Sequence, residues 1–288
     1  MEVAVGKYLI SNNNPAFVVA ELGINHNGNI SIAKDLILAA ANAGANAVKF
    51  QKRTPELCVP IDQRSKERET PWGLITYMDY RYRMEFDRNQ YLELMNYAKE
   101  LRLEFFATPW DEVSLKFLID IGVPCIKIAS ASLTDLSLIS ESAASGLPVI
   151  ISTGMSTMEN IVSAVKILSG KQYIIAHSTS TYPCPIEELN LSMINVLRKK
   201  FNCIVGYSGH ESGVATTVAA AVLGAKYIER HLTLDRALWG SDHAASLEPQ
   251  GFTRLVRDIR IFEQAIGNGV KQIYSSEIPY LEKLRRIK

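Results

Sequence analysis

One pattern, repeated along the 288 residues, constrains the fold more than any other feature. A stretch rich in Ala, Leu and Ile ends near a glycine. A short β-branched run follows within a few residues and finishes on a polar side chain. Gly44 stands ahead of Val48–Gln51, Gly122 ahead of Ile126–Ser130, Gly146 ahead of Val149–Ser152, and Gly224 ahead of Tyr227–His231. Glycine suits the left-handed position after a helix end. A short apolar run suits a strand buried on both faces.

Extending the pattern predicts eight strands: Phe17–Glu21, Ala47–Gln51, Glu104–Thr108, Cys125–Ala129, Val149–Ser152, Tyr173–His177, Cys203–Tyr207 and Tyr227–His231. Helical stretches fall between them near Ile32–Ala43, Arg88–Leu101, Glu112–Ile121, Leu136–Ser145, Met158–Leu168, Ser192–Phe201 and Gly213–Leu223, with a last one at Gly251–Ile266. Eight βα units are what a single-domain (β/α)8 TIM barrel requires. It would occupy residues 1–270, with an N-terminal extension over 1–15 and a tail over 271–288. A doubly wound sheet is the alternative, but it usually carries a glycine-rich phosphate loop, and GINHNGN after the first strand is not one. The longest irregular region is Arg53–Asp87, with three prolines; loops of this length are usually lids or interfaces. The tail, ending LEKLRRIK, reads as a solvated terminus.

Composition narrows the function classes. Lys and Arg total 31 against 30 Asp and Glu, so there is no bulk electrostatic case for nucleic acid or an anionic membrane. The 47% hydrophobic and 21% charged content excludes collagen-like, disordered and coiled-coil chains. The N-terminus lacks the basic start and sustained apolar core of a secretory signal. The apolar stretch Ala215–Ala225 falls short of the about 20 residues a membrane span needs. Cys58, Cys125, Cys184 and Cys203 are scattered, as expected of reduced thiols in a cytoplasmic protein.

Barrel chemistry sits at the C-terminal ends of the strands. Collected there are Glu21, Lys49, Gln51, Thr108, Lys127, Ser130, Ser152, His177, Ser208, His210 and His231. Two lysines beside several hydroxyls suit a phosphate or carboxylate, although either lysine alone is equally explained by an ion pair with a neighbouring strand. His210 and His231 end adjacent strands, where two imidazoles can hold a divalent metal with Glu21 or Asp242 completing the shell. A lysine at a barrel strand end also fits a Schiff-base aldolase, and spacing leaves that reading open. A catalytically silent binding protein is the non-enzyme reading; it would need loss of a key group, yet Glu21, both lysines and both histidines are present.

Seven longer phrases go further. They are FVVAELGINHNGN (17–29), VKFQKRTPE (48–56), KIASASLTD (127–135), VIISTGMSTMENI (149–161), HSTSTYPCPIEELNL (177–191), GYSGHESG (206–213) and ERHLTLDRALWGSDHAASLEP (229–249). Together they resemble the N-acetylneuraminate (sialic acid) synthase family over residues 15–270. The resemblance implies a (β/α)8 barrel that condenses phosphoenolpyruvate with an N-acetylmannosamine-type aldehyde, assisted by Mn²⁺ or Mg²⁺, giving a nine-carbon keto-deoxy acid and phosphate. It implies phosphoenolpyruvate contacts at Lys49, Thr108, Lys127, Ser130, Ser152, Ser180 and Ser208. Metal ligands would be His210 and His231, sugar contacts Gln51, Tyr182 and Asp242, and Glu21 would lie near the reacting carbons.

Departures from the family pattern concern the acceptor. Longer members carry a C-terminal antifreeze-like domain that supplies an arginine to the N-acetyl group, and the stretch after Ile266 is too short for it. Ser132 stands where many long members have glutamate, and Ser180 where others have asparagine. A legionaminate-type acceptor, a non-acetylated hexose or a sugar phosphate is therefore the alternative within the class. Arg81 and Arg83 of the Arg53–Asp87 loop are candidates for the missing cation. Exposed barrel helices favour a homo-oligomer.

Overall fold

The computed structural model describes residues 1–287. Eight parallel strands form the barrel: β1 (Phe17–Gly23), β2 (Ala47–Lys52), β3 (Glu104–Pro109), β4 (Ile126–Ile128), β5 (Val149–Ser152), β6 (Tyr173–His177), β7 (Ile204–Gly209) and β8 (Tyr227–His231). They pair in sequence order, and β8 returns to β1 through Tyr227↔Phe17 to His231↔Glu21. Strands β3 and β4 lie side by side without a hydrogen-bonded ladder, so the barrel is closed at all but one seam. Three predicted strands coincide with those observed, and the others differ by a residue or two at their ends.

Helices α1 (Ile30–Asn42), α2 (Arg88–Glu100), α3 (Glu112–Ile121), α4 (Leu136–Ala144), α5 (Met158–Ile167), α6 (Met193–Phe201), α7 (Ala215–Val222) and α8 (Pro249–Ala265) surround the strands. Each turns an apolar stripe inward. Helix α8 buries Phe252, Leu255, Val256 and Ile259, and α1 buries Ala33, Leu36, Ile37 and Ala40. That is helical spacing, and each fully buried Leu, Ile or Phe contributes about 1.5–3 kcal/mol. Polar caps start the helices where the strand-end loops finish, with Asn29, Asp87, Asp111, Asp135 and Thr157 each accepting a backbone N–H of the first turn.

Two regions differ from expectation. The N-terminal extension is a hairpin, Glu2–Val5 against Tyr8–Ser11, that plugs the N-terminal end of the barrel. Its Val3, Val5 and Ile10 are buried, and Tyr8 packs edge-on against Phe17, which stacks on Tyr227. The Arg53–Asp87 region is ordered rather than irregular. It contains a short helix (Pro55–Cys58), a hairpin (Glu67–Thr70 with Gly73–Thr76) and a helix (Tyr77–Met84). Gly73, at φ +93°, supplies the left-handed turn residue the hairpin needs. Tyr80 and Met84 anchor this lid in a small cluster with Ile24 and Trp239.

The tail carries a helix, Ile278–Leu284, with Ile278, Tyr280 and Leu284 exposed. All four cysteines are free thiols. Among the described residues, no helix is long and apolar enough to cross a membrane.

Candidate active site

Strand alternation decides which side chains reach the barrel interior. Glu21 on β1, Lys49 and Gln51 on β2, Lys127 on β4, Ser208 on β7 and Glu229 and His231 on β8 all point in. They converge on a cavity of about 240 Å³ at the C-terminal rim. Of the residues predicted to hold phosphoenolpyruvate, metal or sugar, all but Asp242 line it; Asp242 stands beside His231, its Oδ2 3.7 Å from Nδ1. A larger cleft of about 610 Å³ lies at the opposite end, between Asn12–Ala16 and the end of α8, away from the rim cluster.

The floor of the rim cavity is a buried charge lattice. Lys49 Nζ lies 2.8 Å from Glu21 Oε2 and 3.6 Å from Glu229 Oε1, and donates to Thr108 Oγ1 at 3.1 Å. Lys127 Nζ donates to Ser152 Oγ at 2.6 Å and lies 3.6 Å from Glu229 Oε2. Glu229 also accepts from Ser208 Oγ at 3.1 Å and from the Tyr227 hydroxyl. Gln51 donates to Glu21 Oε1 at 2.9 Å. Each lysine therefore has a buried carboxylate partner, and each also faces the cavity. Glu229 escaped the sequence reading because it lies inside the strand rather than at its end; its two-residue spacing from His231 was the available signal.

Burial and neighbours set the charges. Burial raises Glu21 to about 7, against the pull of Lys49. Burial opposes charge on Glu229 too, but Lys127 and Lys49 outweigh it and hold Glu229 at about 2. Burial lowers Lys127 to about 8, partly offset by Glu229. Lys49 is also desolvated, yet Glu21 and Glu229 keep it above its usual value. Two of the four groups thus titrate close to neutrality.

On the opposite wall stand the two histidines, ring centroids 5.5 Å apart. His210 Nδ1 donates to Thr179 O at 2.8 Å, which leaves Nε2 as the lone-pair nitrogen. His231 Nδ1 is buried without a hydrogen-bond partner. Burial lowers both pKa values, His210 to about 4, so both rings are neutral at pH 7. Tyr182 packs on His210 at 4.2 Å and edge-on to His231 at 5.8 Å. Among the described residues no group of three or more His, Cys, Asp or Glu stands in metal-holding geometry.

Ser130 and Ser180 approach each other across Gly154. A Cβ there would fall 2.1 Å from Ser180 Oγ and 2.8 Å from Ser130 Oγ, so only glycine lets both hydroxyls reach the wall. Gly154 N donates to Ser130 Oγ at 3.1 Å, while Ser180 Oγ is buried and unpartnered. Ser132 is buried in the turn after β4 and does not line the cavity. His177, at the end of β6, donates to Leu189 O at 2.7 Å and lies outside the cavity. It is a structural histidine.

A second buried ion pair sits on the outer face of the same strands. Arg230 Nη1 lies 3.2 Å from Glu211 Oε1 and also donates to Gly213 O and Thr217 Oγ1. Glu211 Oε1 accepts from Thr216 and Thr217, and Oε2 from the Tyr207 hydroxyl at 2.9 Å. This pair brackets the histidines, since Glu211 follows His210 and Arg230 precedes His231.

Comparison with known proteins agrees with this geometry. Residues 36–271 match the NeuB family model. The chain is 38% identical to an N-acetylneuraminate-9-phosphate synthase of Mus musculus, over 99% of this chain and 80% of the mouse protein. It is 35% identical to an N,N'-diacetyllegionaminic acid synthase of Campylobacter jejuni, over 93% and 83%. The crystal structure of N-acetylneuraminic acid (sialic acid) synthetase from Leptospira borgpetersenii, in complex with citrate, superposes with a TM-score of 0.87 at 34% identity, covering 100% of this chain and 98% of that one. The chain belongs to the NeuB family and is an enzyme of the synthase kind.

Proposed function

We propose that the chain condenses phosphoenolpyruvate with an amino-sugar aldehyde, N-acetylmannosamine or a close relative, to give a nine-carbon 2-keto-3-deoxy acid and inorganic phosphate. The observation that carries this reading is the floor of the cavity, where two lysines and five serine and threonine hydroxyls face one small polar space. Phosphoenolpyruvate, with a phosphate and a carboxylate, fits two ammonium groups flanked by neutral donors. Lys49 and Thr108 would hold one anionic group, Lys127, Ser152 and Ser130 the other, with Ser180 and Ser208 completing the cradle.

His210 and His231 fit a divalent cation, because both are neutral, one is fixed in the required tautomer and one has a ring nitrogen with no other partner. When bound, Mn²⁺ or Mg²⁺ would supply Lewis acidity toward the acceptor's carbonyl oxygen. Gln51, Tyr182 and Asp242 would orient the sugar so that its aldehyde carbon faces carbon three of phosphoenolpyruvate. A carbon–carbon bond forms there, and water adds at carbon two. Glu21, with a pKa near 7, is suited to take that water's proton on Oε1 or Oε2. The tetrahedral centre then collapses with cleavage of the carbon–oxygen bond, releasing phosphate against the lysines.

Acceptor-dependent loss of phosphoenolpyruvate tests the reading, with oxygen-18 in its bridging position. The label should leave with phosphate, and prior chelation should abolish turnover. No consumption with any amino-sugar aldehyde would overturn it. The depressed pKa of Lys127 is the one observation favouring a Schiff-base aldolase. Borohydride with pyruvate should leave the protein mass unchanged; a pyruvyl adduct would favour the aldolase.

A further inference from the structure

The charge lattice under the rim cavity is anchored from below by a side chain that does not line the cavity. Tyr227 precedes Glu229 by two residues on the inward face of β8, so it lies one layer nearer the N-terminal end of the barrel. It is fully buried, and its hydroxyl donates to Glu229 Oε2. Two neighbours seat the ring. Phe17 stacks on it, with centroids 6.3 Å apart. Gly206 is its register partner on β7, and a Cβ there would fall 2.8 Å from Tyr227 Cβ and 2.9 Å from Cδ1. The ring therefore occupies space that a side chain on β7 would close.

The two carboxylates of the lattice differ in what holds them. Glu21 accepts an amide N–H from Gln51 on Oε1, and its Oε2 lies 2.8 Å from Lys49 Nζ. Glu229 accepts a hydroxyl on each oxygen, Ser208 on Oε1 and Tyr227 on Oε2, and it stands 3.6 Å from Lys49 and 3.6 Å from Lys127. An unrestrained carboxylate closes on an ammonium to about 2.7–2.9 Å, as Glu21 does. The hydroxyls hold Glu229 short of that. An ammonium has three N–H donors. Lys127 spends one on Ser152, and Glu229 is the carboxylate paired with it among the described residues. The stretched pair leaves donors on Lys127 for a group in the cavity.

We propose that Tyr227 is a positioning residue: its hydroxyl draws Glu229 toward the N-terminal end of the barrel and holds it back from Lys127, leaving that ammonium to take an anionic group of phosphoenolpyruvate. The ligand rests on the synthase reading above; the residue is new to it and touches no substrate. Ser208 reaches the other oxygen of Glu229, but it also lines the cavity. Tyr227 is thus the hydroxyl that can be removed without touching the ligand.

Tyr227→Phe keeps the ring and removes only the hydroxyl. The test is calorimetric titration of the full chain with phosphoenolpyruvate, Mn²⁺ present, followed by steady-state kinetics. The Kd should rise about 10-fold as Glu229 closes on Lys127 and competes with the ligand. The KM for phosphoenolpyruvate should rise with it, while the acceptor KM stays unchanged. A double-mutant cycle separates positioning from packing. In a Glu229→Gln background no carboxylate competes for Lys127, so adding Tyr227→Phe should change Kd by less than about 2-fold. Unchanged affinity in Tyr227→Phe would overturn the proposal. So would an equal loss in both backgrounds, or an acceptor KM that rises as much as that for phosphoenolpyruvate. If the cycle behaves as stated but no amino-sugar aldehyde supports turnover, the synthase reading fails and the positioning role stands. No binding of phosphoenolpyruvate to the unaltered protein would overturn both.

Discussion

Strand β8 contributes to two buried charge clusters, Glu229 to one inside the barrel and Arg230 to one on its outer face, and they are opposites. The outer cluster, Glu211 with Arg230, is 0% exposed and nearly saturated, with both carboxylate oxygens accepting and Arg230 donating to a carboxylate, a hydroxyl and backbone carbonyls. Despite burial, Arg230 and its hydrogen-bonding neighbours hold Glu211 below the ordinary carboxylate range. The inner cluster uses the same kinds of group, yet two of its contacts are stretched to 3.6 Å and its Glu21 and Lys127 are pushed toward neutrality. Hydrogen-bond saturation, more than charge, separates a structural pair from a chemical one. Apart from Arg230 Nε, the outer cluster has its bonding capacity used up, whereas the inner one faces a cavity with capacity to spare.

Lys127→Met should break the comparison most visibly. Turnover of phosphoenolpyruvate should fall about 10³-fold, as for loss of a principal charge-stabilising group. Stability should fall only modestly. Below about 8 the substitution removes a charge that burial disfavours, which offsets the loss of one of the two lysines that hold Glu229 ionised, and Lys49 remains beside it. Glu211→Gln should weigh more on the stability side. Leaving Arg230 buried without its carboxylate should cost about 3–5 kcal/mol in denaturant unfolding. A marginal loss would mean that the two clusters do not differ as argued.

The pH profile sharpens the comparison with a smaller effect. If Glu21 must be ionised to take the proton, kcat/KM should rise with pH through about 7, and if Lys127 must be charged it should fall above about 8. Glu21→Gln should remove the acidic limb along with most of the rate. A profile flat from pH 6 to 9 would show that neither group controls the reaction. The Glu211–Arg230 pair should contribute no limb in this range, because its carboxyl titrates below the ordinary carboxylate range. Smaller still is the Ser208 contact. Ser208→Ala should weaken phosphoenolpyruvate binding by about 1 kcal/mol, read as a KM rise of a few fold.

The barrel was legible because parallel strands must be apolar on both faces except where they end. Tyr173–His177 and Tyr227–His231 therefore stood out with their boundaries, as did the polar residues at their tips. Features that depend on long-range packing were not legible. Glu229 is a charge within a strand, and only the three-dimensional approach of Lys49 and Lys127 gives it meaning. The Glu2–Ser11 hairpin is too short to show periodicity and is stabilised by the barrel floor it covers. The lid reads as loop because its hairpin is exposed, and its order comes from Tyr80 and Met84 meeting Trp239 from the far end of the chain.

The five residues of β8 serve two sides of the wall at once. Tyr227, Glu229 and His231 point into the barrel, the last two lining the cavity, while Ile228 and Arg230 face the helices. No position in the strand is neutral ground. Inserting or deleting a single residue would turn the guanidinium of Arg230 into the substrate space and Glu229 out among aliphatic side chains. Evolution can therefore lengthen or rebuild the loops above this strand, and so change what the enzyme accepts, while the strand itself tolerates almost no editing.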